Sequence, residues 1–156
     1  MVFELLISTR QATVNDLEKL YEIERECFTA EAFSKELLTI LLQDSNSVSL
    51  IAQTDREIAG FIIGLIQHIR GVKTGHIYTI DVAVKHRRKG VGITLLNELE
   101  KIFIRNDVKI CYLEARRNNV AALELYKKQG YTDREKLEDY YPEGVHGVRL
   151  QKRLSQ

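Results

Sequence analysis

The chain has 156 residues, of which 44% are hydrophobic and 29% charged, with 23 Lys and Arg against 22 Asp and Glu. That length and balance suit one globular domain that folds without disulfides or metal, and they exclude a globally basic nucleic-acid binder and a disordered acidic chain. Cys27 and Cys111 share no C-x-x-C spacing, no apolar stretch approaches the ~20 residues of a membrane span, and the N-terminus shows no basic segment followed by an apolar one, so the expectation is a single cytoplasmic domain over residues 1–156 with no membrane partner.

Phe3 to Thr9, rich in Leu and Ile, reads as a first strand. Thr13 with Asp16 three positions later is a capping pattern, and Leu17, Leu20, Tyr21 and Ile23 continue a helical period to about Cys27. A second short helix follows Ser34, with Leu37, Leu38, Leu41 and Leu42 on one face. The period then shortens. Val48 to Gln53, Ile58 to His68 and His76 to Val84 read as strands, separated by turns at Thr54–Glu57 and Arg70–Gly75. A helix with Leu95, Leu96, Leu99, Ile102 and Phe103 runs to about Arg105. Val108 to Leu113 is a strand, Asn119 to Gln129 a helix closed by Gly130, and Tyr131 onward and Val145 to Leu154 are further strands. The order β-α-α-β-β-β-α-β-α-β-β implies an α/β fold, a mixed sheet with helices on its faces.

Between the third strand of the meander and the long helix lies Lys85-His86-Arg87-Arg88-Lys89-Gly90-Val91-Gly92. Two glycines let backbone approach a ligand, and the helix behind them offers unpaired N–H groups and a positive dipole end. Arg87, Arg88 and Lys89 add charge, so the natural target is a pyrophosphate. Leu95 stands where the dinucleotide fingerprint needs its third glycine, and no Gly-Lys-Ser/Thr is present for a nucleotide P-loop. Nucleic acid would want aromatic partners that this loop lacks. A solvated basic turn is the plainer reading of the same residues.

Arg-x-x-Gly-x-Gly between strand and helix resembles the acetyl-CoA loop of the GNAT family of N-acetyltransferases, and the likeness covers nearly the whole chain. The segment from Leu113 through Asn119 and Tyr126 to Tyr131 resembles the second half of that fold. With the closing Asp139-Tyr140-Tyr141-Pro142-Glu143-Gly144, the chain is similar more narrowly to the enzymes that acetylate protein N-termini, the ribosomal-protein alanine acetyltransferases and the archaeal and eukaryotic catalytic subunits. The resemblance implies a single-domain GNAT fold with a mostly antiparallel central sheet, acetyl-CoA as co-substrate, and a protein or peptide N-terminus as acceptor. It also brings an auxiliary subunit or the ribosome into consideration as partners. Lysine side chains, small-molecule amines, or a catalytically silent CoA-binding module are the alternatives.

Amide formation from a thioester needs a neutral amine, a group to take its proton and a donor for the departing thiolate. An α-amino group near ~7.7–8.0 needs only a modest base, whereas a lysine near ~10.4 needs more help. The resemblance makes Glu114 the general base, often acting through water, and Tyr126 the general acid beside the sulfur. A Glu at a strand end is otherwise a solvated charge, and a helix Tyr otherwise core. For the cofactor, the resemblance implies the edge backbone of Val82, Ala83 and Val84 against pantetheine, the loop Arg87, Arg88, Lys89, Gly90, Val91 and Gly92 against the pyrophosphate, and Asn119 and Tyr126 beside them. Asn119 also suits a helix cap.

On the acceptor side stand Phe28, Tyr78, Tyr140 and Tyr141, the last two in a loop-like segment, all able to grip a peptide. Thr29 and Ala32 replace the Pro and aromatic that many relatives carry after the Phe, which alters the pocket for the first residue. His68, His76, His86 and His146 show no metal-ligand spacing, so no metal is expected. Cys111, mid-strand, suits packing better than a covalent acetyl-cysteine step.

Overall fold

The computed structural model describes residues 6–29 and 31–155. Residues 3–5 of the expected first strand lie outside them, and the strand described there is β1, Ser8–Gln11. Helices α1 (Leu17–Cys27) and α2 (Lys35–Gln43) follow, then β2 (Ser47–Thr54), β3 (Glu57–Ile69) and β4 (Val72–Val82). Helix α3 (Val91–Arg105), β5 (Ile110–Arg116), α4 (Val120–Lys128), β6 (Thr132–Tyr141) and β7 (Val145–Arg153) complete the order. Among the described residues no helix is long and apolar enough to cross a membrane.

Local chemistry explains the breaks. Thr13 and Asp16 form the capping box, Thr13 Oγ1 accepting from the Asn15 N–H at 3.3 Å and Asp16 Oδ2 from the Thr13 N–H at 2.9 Å. The turns before and after β3 are tighter than the spacing suggests. Asp55 and Arg56, and then Arg70 and Gly71, all hold positive φ, the signature of two-residue hairpins whose twist matches the strands. Lys73 to Gly75, expected in a turn, are therefore strand, and Val84 has left β4 for the 3-10 turn Val84–His86.

The strands form one sheet in the order β1-β2-β3-β4-β5-β7-β6, antiparallel except for β4 beside β5. Alternation along β3 sends Phe61 and Ile63 to one face and Ile62 to the other. Leu20 and Ile23 of α1 with Leu38 and Leu41 of α2 cover the first face. Leu95, Leu96, Leu99 and Phe103 of α3 cover the second, and each such buried side chain contributes roughly 1.5–3 kcal/mol. Phe103 fits where β3 and β4 carry glycine. A Cβ on Gly64 would stand 2.7 Å from the tip of its ring, and one on Gly75 would overlap it.

Two irregularities make room for a site. Ile63 pairs with Thr79 and Gly64 with Ile77, so Tyr78 is an extra residue, a β-bulge. It turns Tyr78 and Thr79 toward α1, while Ile77 and Ile80 both pack toward α3. The parallel ladder then stops. β4 and β5 pair from Thr74 with Ile110 to Ile77 with Leu113, after which β4 continues to Val82 and β5 to Arg116 without pairing each other.

Candidate active site

The parted strands enclose a cavity of about 420 Å³. Seven of the side chains singled out from sequence line it: Phe28, Tyr78, Glu114, Asn119, Tyr126, Tyr140 and Tyr141. Glu114 lies within β5 rather than at its end, and Tyr140 and Tyr141 close strand β6 rather than occupying a loop. Their pairing with β7 near Val145 was hidden because β6 is an exposed edge strand, polar along most of its length.

Glu114 is held on both oxygens. His76 Nε2 donates to Oε1 at 2.7 Å and Arg149 Nε to Oε2 at 3.3 Å. Burial pushes the carboxyl up, but these two partners outweigh it and leave the group below its usual range. The ring of His76 stacks on Tyr112 at 4.3 Å and tilts against Tyr78 at 4.4 Å, which fixes its aim. Sequence reasoning considered His76 only as a metal ligand. Its place two residues before Tyr78, on the same strand face, was the available signal.

Tyr126 sits on α4, in the wall facing α3. Burial first, then the nearby Asp81 and Tyr141, push its phenol up, so it stays protonated through any working pH. Asn119 caps the same helix, its side chain accepting from the Ala122 N–H at 3.2 Å. Across the mouth, Arg116 bonds Glu31 at 2.7 Å and lies 5.1 Å over the Tyr141 ring. That clasp joins the α1–α2 connection, β5 and the end of β6. Burial pushes the Tyr141 phenol up to about 12, so it too is neutral.

The loop Arg87 to Gly92 stands outside the cavity wall. Gly90 is the left-handed N-cap of α3 with φ +86°, and a Cβ there would meet nothing within 4 Å. Val91, Gly92 and Ile93 begin the helix with N–H groups that have no acceptor in it. Arg88 and Lys89 are exposed. Arg87 is not aimed at the loop: its Nε donates to the Val82 carbonyl at 3.1 Å and a terminal nitrogen reaches Cys27 Sγ at 3.5 Å. His86, buried, has Nδ1 3.4 Å from the Thr54 hydroxyl and Nε2 donating to Glu57 at 2.9 Å, which stitches the loop to the β2–β3 turn.

The edge of β4 is also more engaged than expected. The Ala83 N–H bonds the Ala59 carbonyl and the Val84 N–H donates to Glu26 at 2.5 Å. By alternation the N–H of Val82 and the backbone of Ile80 turn to the open side, where β5 has moved away. The thiols do not line the cavity, and burial pushes Cys27 up to about 11 and Cys111 up to about 12, far from thiolate chemistry.

The arrangement suits an extended ligand: an anion cradle at the start of α3, open strand edge beside it, and a cavity lined by the Glu114 carboxylate and the Tyr126 phenol among other polar groups. Comparison with known proteins gives the family. Residues 17–131 match the family described as the acetyltransferase (GNAT) family. An uncharacterised N-acetyltransferase of Methanocaldococcus jannaschii is 30% identical over 92% of this chain and 90% of its own. An N-alpha-acetyltransferase of Sulfurisphaera tokodaii is 29% identical over 86% of each chain. The crystal structure of the Escherichia coli ribosomal-protein alanine N-acetyltransferase shares the fold, with a TM-score of 0.87 at 21% identity over 97% of this chain and 96% of that one.

Proposed function

Because the chain belongs to the acetyltransferase (GNAT) family and is thereby an acyltransferase, we propose that it moves an acetyl group from acetyl-CoA to the α-amino group of a protein N-terminus, by direct attack in a ternary complex. Relatives named N-alpha-acetyltransferase support that acceptor. The observation that carries the reading is the gap between β4 and β5, with Glu114 and Tyr126 both lining the cavity it opens.

Acetyl-CoA supplies an activated thioester. The residues present fit it: Val91, Gly92 and the open space at Gly90 suit its pyrophosphate, the free edge at Ile80 and Val82 its pantetheine amides, and Arg88 and Lys89 add positive charge. Glu114, oriented by His76, takes the amine's proton, directly or through water. Even from an α-amino group, transfer to an ordinary carboxylate near ~4.3 runs uphill by roughly 3–4 pKa units, and from a lysine by roughly 6. The smaller gap favours an α-amine over a lysine as the acceptor from which Glu114 takes a proton. Tyr126 holds its proton toward the sulfur. A free thiol ionises near ~8.5, so donation is favourable only where burial also raises the sulfur's basicity.

An assay of acetyl-CoA consumption against peptides with free N-termini tests the reading. Turnover on peptides and not on N-terminally blocked peptides containing lysine is expected. Turnover on a small amine, with none on any peptide, would sink it.

A further inference from the structure

Between α1 and β4 lies a polar cluster that the transfer chemistry leaves unused. Asp81 is 0% exposed, Glu24 1% and Thr79 7%. The Thr79 hydroxyl is 3.4 Å from Glu24 Oε1 and in very short contact with Asp81 Oδ1, while Asp81 Oδ2 has no partner among the described residues. Glu24 Oε2 accepts the Phe33 N–H at 3.0 Å.

A hydroxyl has one proton to give, so Thr79 can serve only one of two carboxylates. The other acid must bring its own proton. Burial, and then Glu24 beside it, push the Asp81 carboxyl well above its usual range, so Asp81 is the protonated member. The chain of donors then runs one way, from Asp81 to Thr79 to Glu24 Oε1. The bulge at Tyr78 brings Thr79 to the cavity wall. Glu24 and Thr79 line the acceptor side of the cavity with Phe28, Phe33 and Tyr78, whereas Asp81 lies behind them.

We propose that Glu24 and Thr79 form the floor of the pocket for the first side chain of the acceptor peptide and select a side chain ending in a hydroxyl. The inference rests on the reading of the acceptor as a protein N-terminus. An apolar side chain would seal Glu24 Oε1 with only the long 3.4 Å contact from Thr79 to serve it, which is a costly state for a buried carboxylate oxygen. A lysine side chain brings three donors and a full charge to a floor with one carboxylate already bonded twice, and leaves donors unmet. A hydroxyl brings one donor on a short stem.

The test compares peptides that differ only in a first residue of Thr, Val or Lys, the first two being nearly the same shape. Wild-type kcat/KM for the Thr peptide should exceed that for the Val peptide by about tenfold or more, and exceed that for the Lys peptide as well. Glu24→Met removes the acceptor from the pocket and leaves a stem of similar length, so the Thr-to-Val ratio should fall to about one. Thr79→Val should compress the ratio too, with near-UV circular dichroism confirming that each variant is folded. Equal use of Thr and Val by the wild type, preference for the Lys peptide, or a ratio untouched by both variants overturns the proposal. Failure on every peptide, with turnover of a small amine, overturns the acceptor reading as well, and is recognisable because no ratio then exists to measure.

Discussion

His76 and Glu114 meet at 2.7 Å across the parallel strands β4 and β5, His76 within their paired stretch and Glu114 one residue past its end. The contact holds the carboxylate ionised and aims it into the opening rather than into solvent. It also ties the acid to a ring that is itself stacked on Tyr112.

Glu114→Gln should therefore lose activity chiefly below pH ~8, where an α-amino group is largely protonated and needs a base. Above that, the amine arrives neutral and part of the defect should vanish. The pH–rate profile of kcat/KM decides the matter. A defect that stays flat from pH ~6 to ~10 would remove Glu114 as base, with water held by Tyr140 the next candidate.

The same carboxyl predicts an acid limb in stability. Its value in the fold lies below the ordinary one, so the stability it contributes is complete above ~4.3 and disappears as pH falls through the folded value. Denaturant midpoints measured from pH 7 to pH 3 should fall less steeply for Glu114→Gln than for the wild type.

Tyr126→Phe removes only the hydroxyl from a half-buried ring in the cavity wall. Turnover should fall on the order of ~10²-fold while acetyl-CoA binds almost as before, the scale expected for one acid–base group. Calorimetric titration beside steady-state kinetics separates the two. Weakened binding with turnover retained would return Tyr126 to a packing role.

Gly90→Val should raise the Michaelis constant for acetyl-CoA, because its side chain would occupy space that is open at φ +86°. The left-handed backbone adds a stability cost of roughly 1–2 kcal/mol, readable in urea unfolding. Arg88→Ala should raise the same constant with little loss of kcat, since an exposed charge attracts ground and transition states alike. Arg87→Ala should behave differently, because its guanidinium braces the Val82 carbonyl and Cys27.

Tyr131→Phe tests a network on the other face of the sheet. The Tyr131 hydroxyl donates to Glu100 at 2.8 Å, and Lys152 donates to the other oxygen at 2.7 Å. Losing one donor to a buried carboxylate should cost about 1–3 kcal/mol in urea unfolding, with the Michaelis constants unchanged.

Most of the elements were legible because helical periodicity and glycine turns are local. Leu95, Leu96, Leu99 and Phe103 announce α3, and Thr13 with Asp16 announces the start of the first helical segment. Glu114 and Tyr126 were legible only through resemblance, since nothing local distinguishes a catalytic glutamate from a solvated one. The Glu24, Thr79 and Asp81 cluster was not legible at all. It depends on a bulge that puts two successive residues on one face, against the alternation that a strand pattern assumes. The clasp of Glu31 with Arg116 joins residues 85 positions apart, beyond the reach of spacing arguments.

The slot that Gly64 and Gly75 leave for Phe103 lies near one end of α3, while the anion cradle lies at the other. From Phe103 to Val91 the helix runs roughly 18 Å, so it works as a lever with its fulcrum in the sheet. A tilt of roughly 5° at the fulcrum would displace the cradle by roughly 1.5 Å, enough to spoil a contact made by backbone N–H groups. An alanine at Gly75, a dozen residues of helix away from any phosphate, should thus be felt first as poor grip on the cofactor.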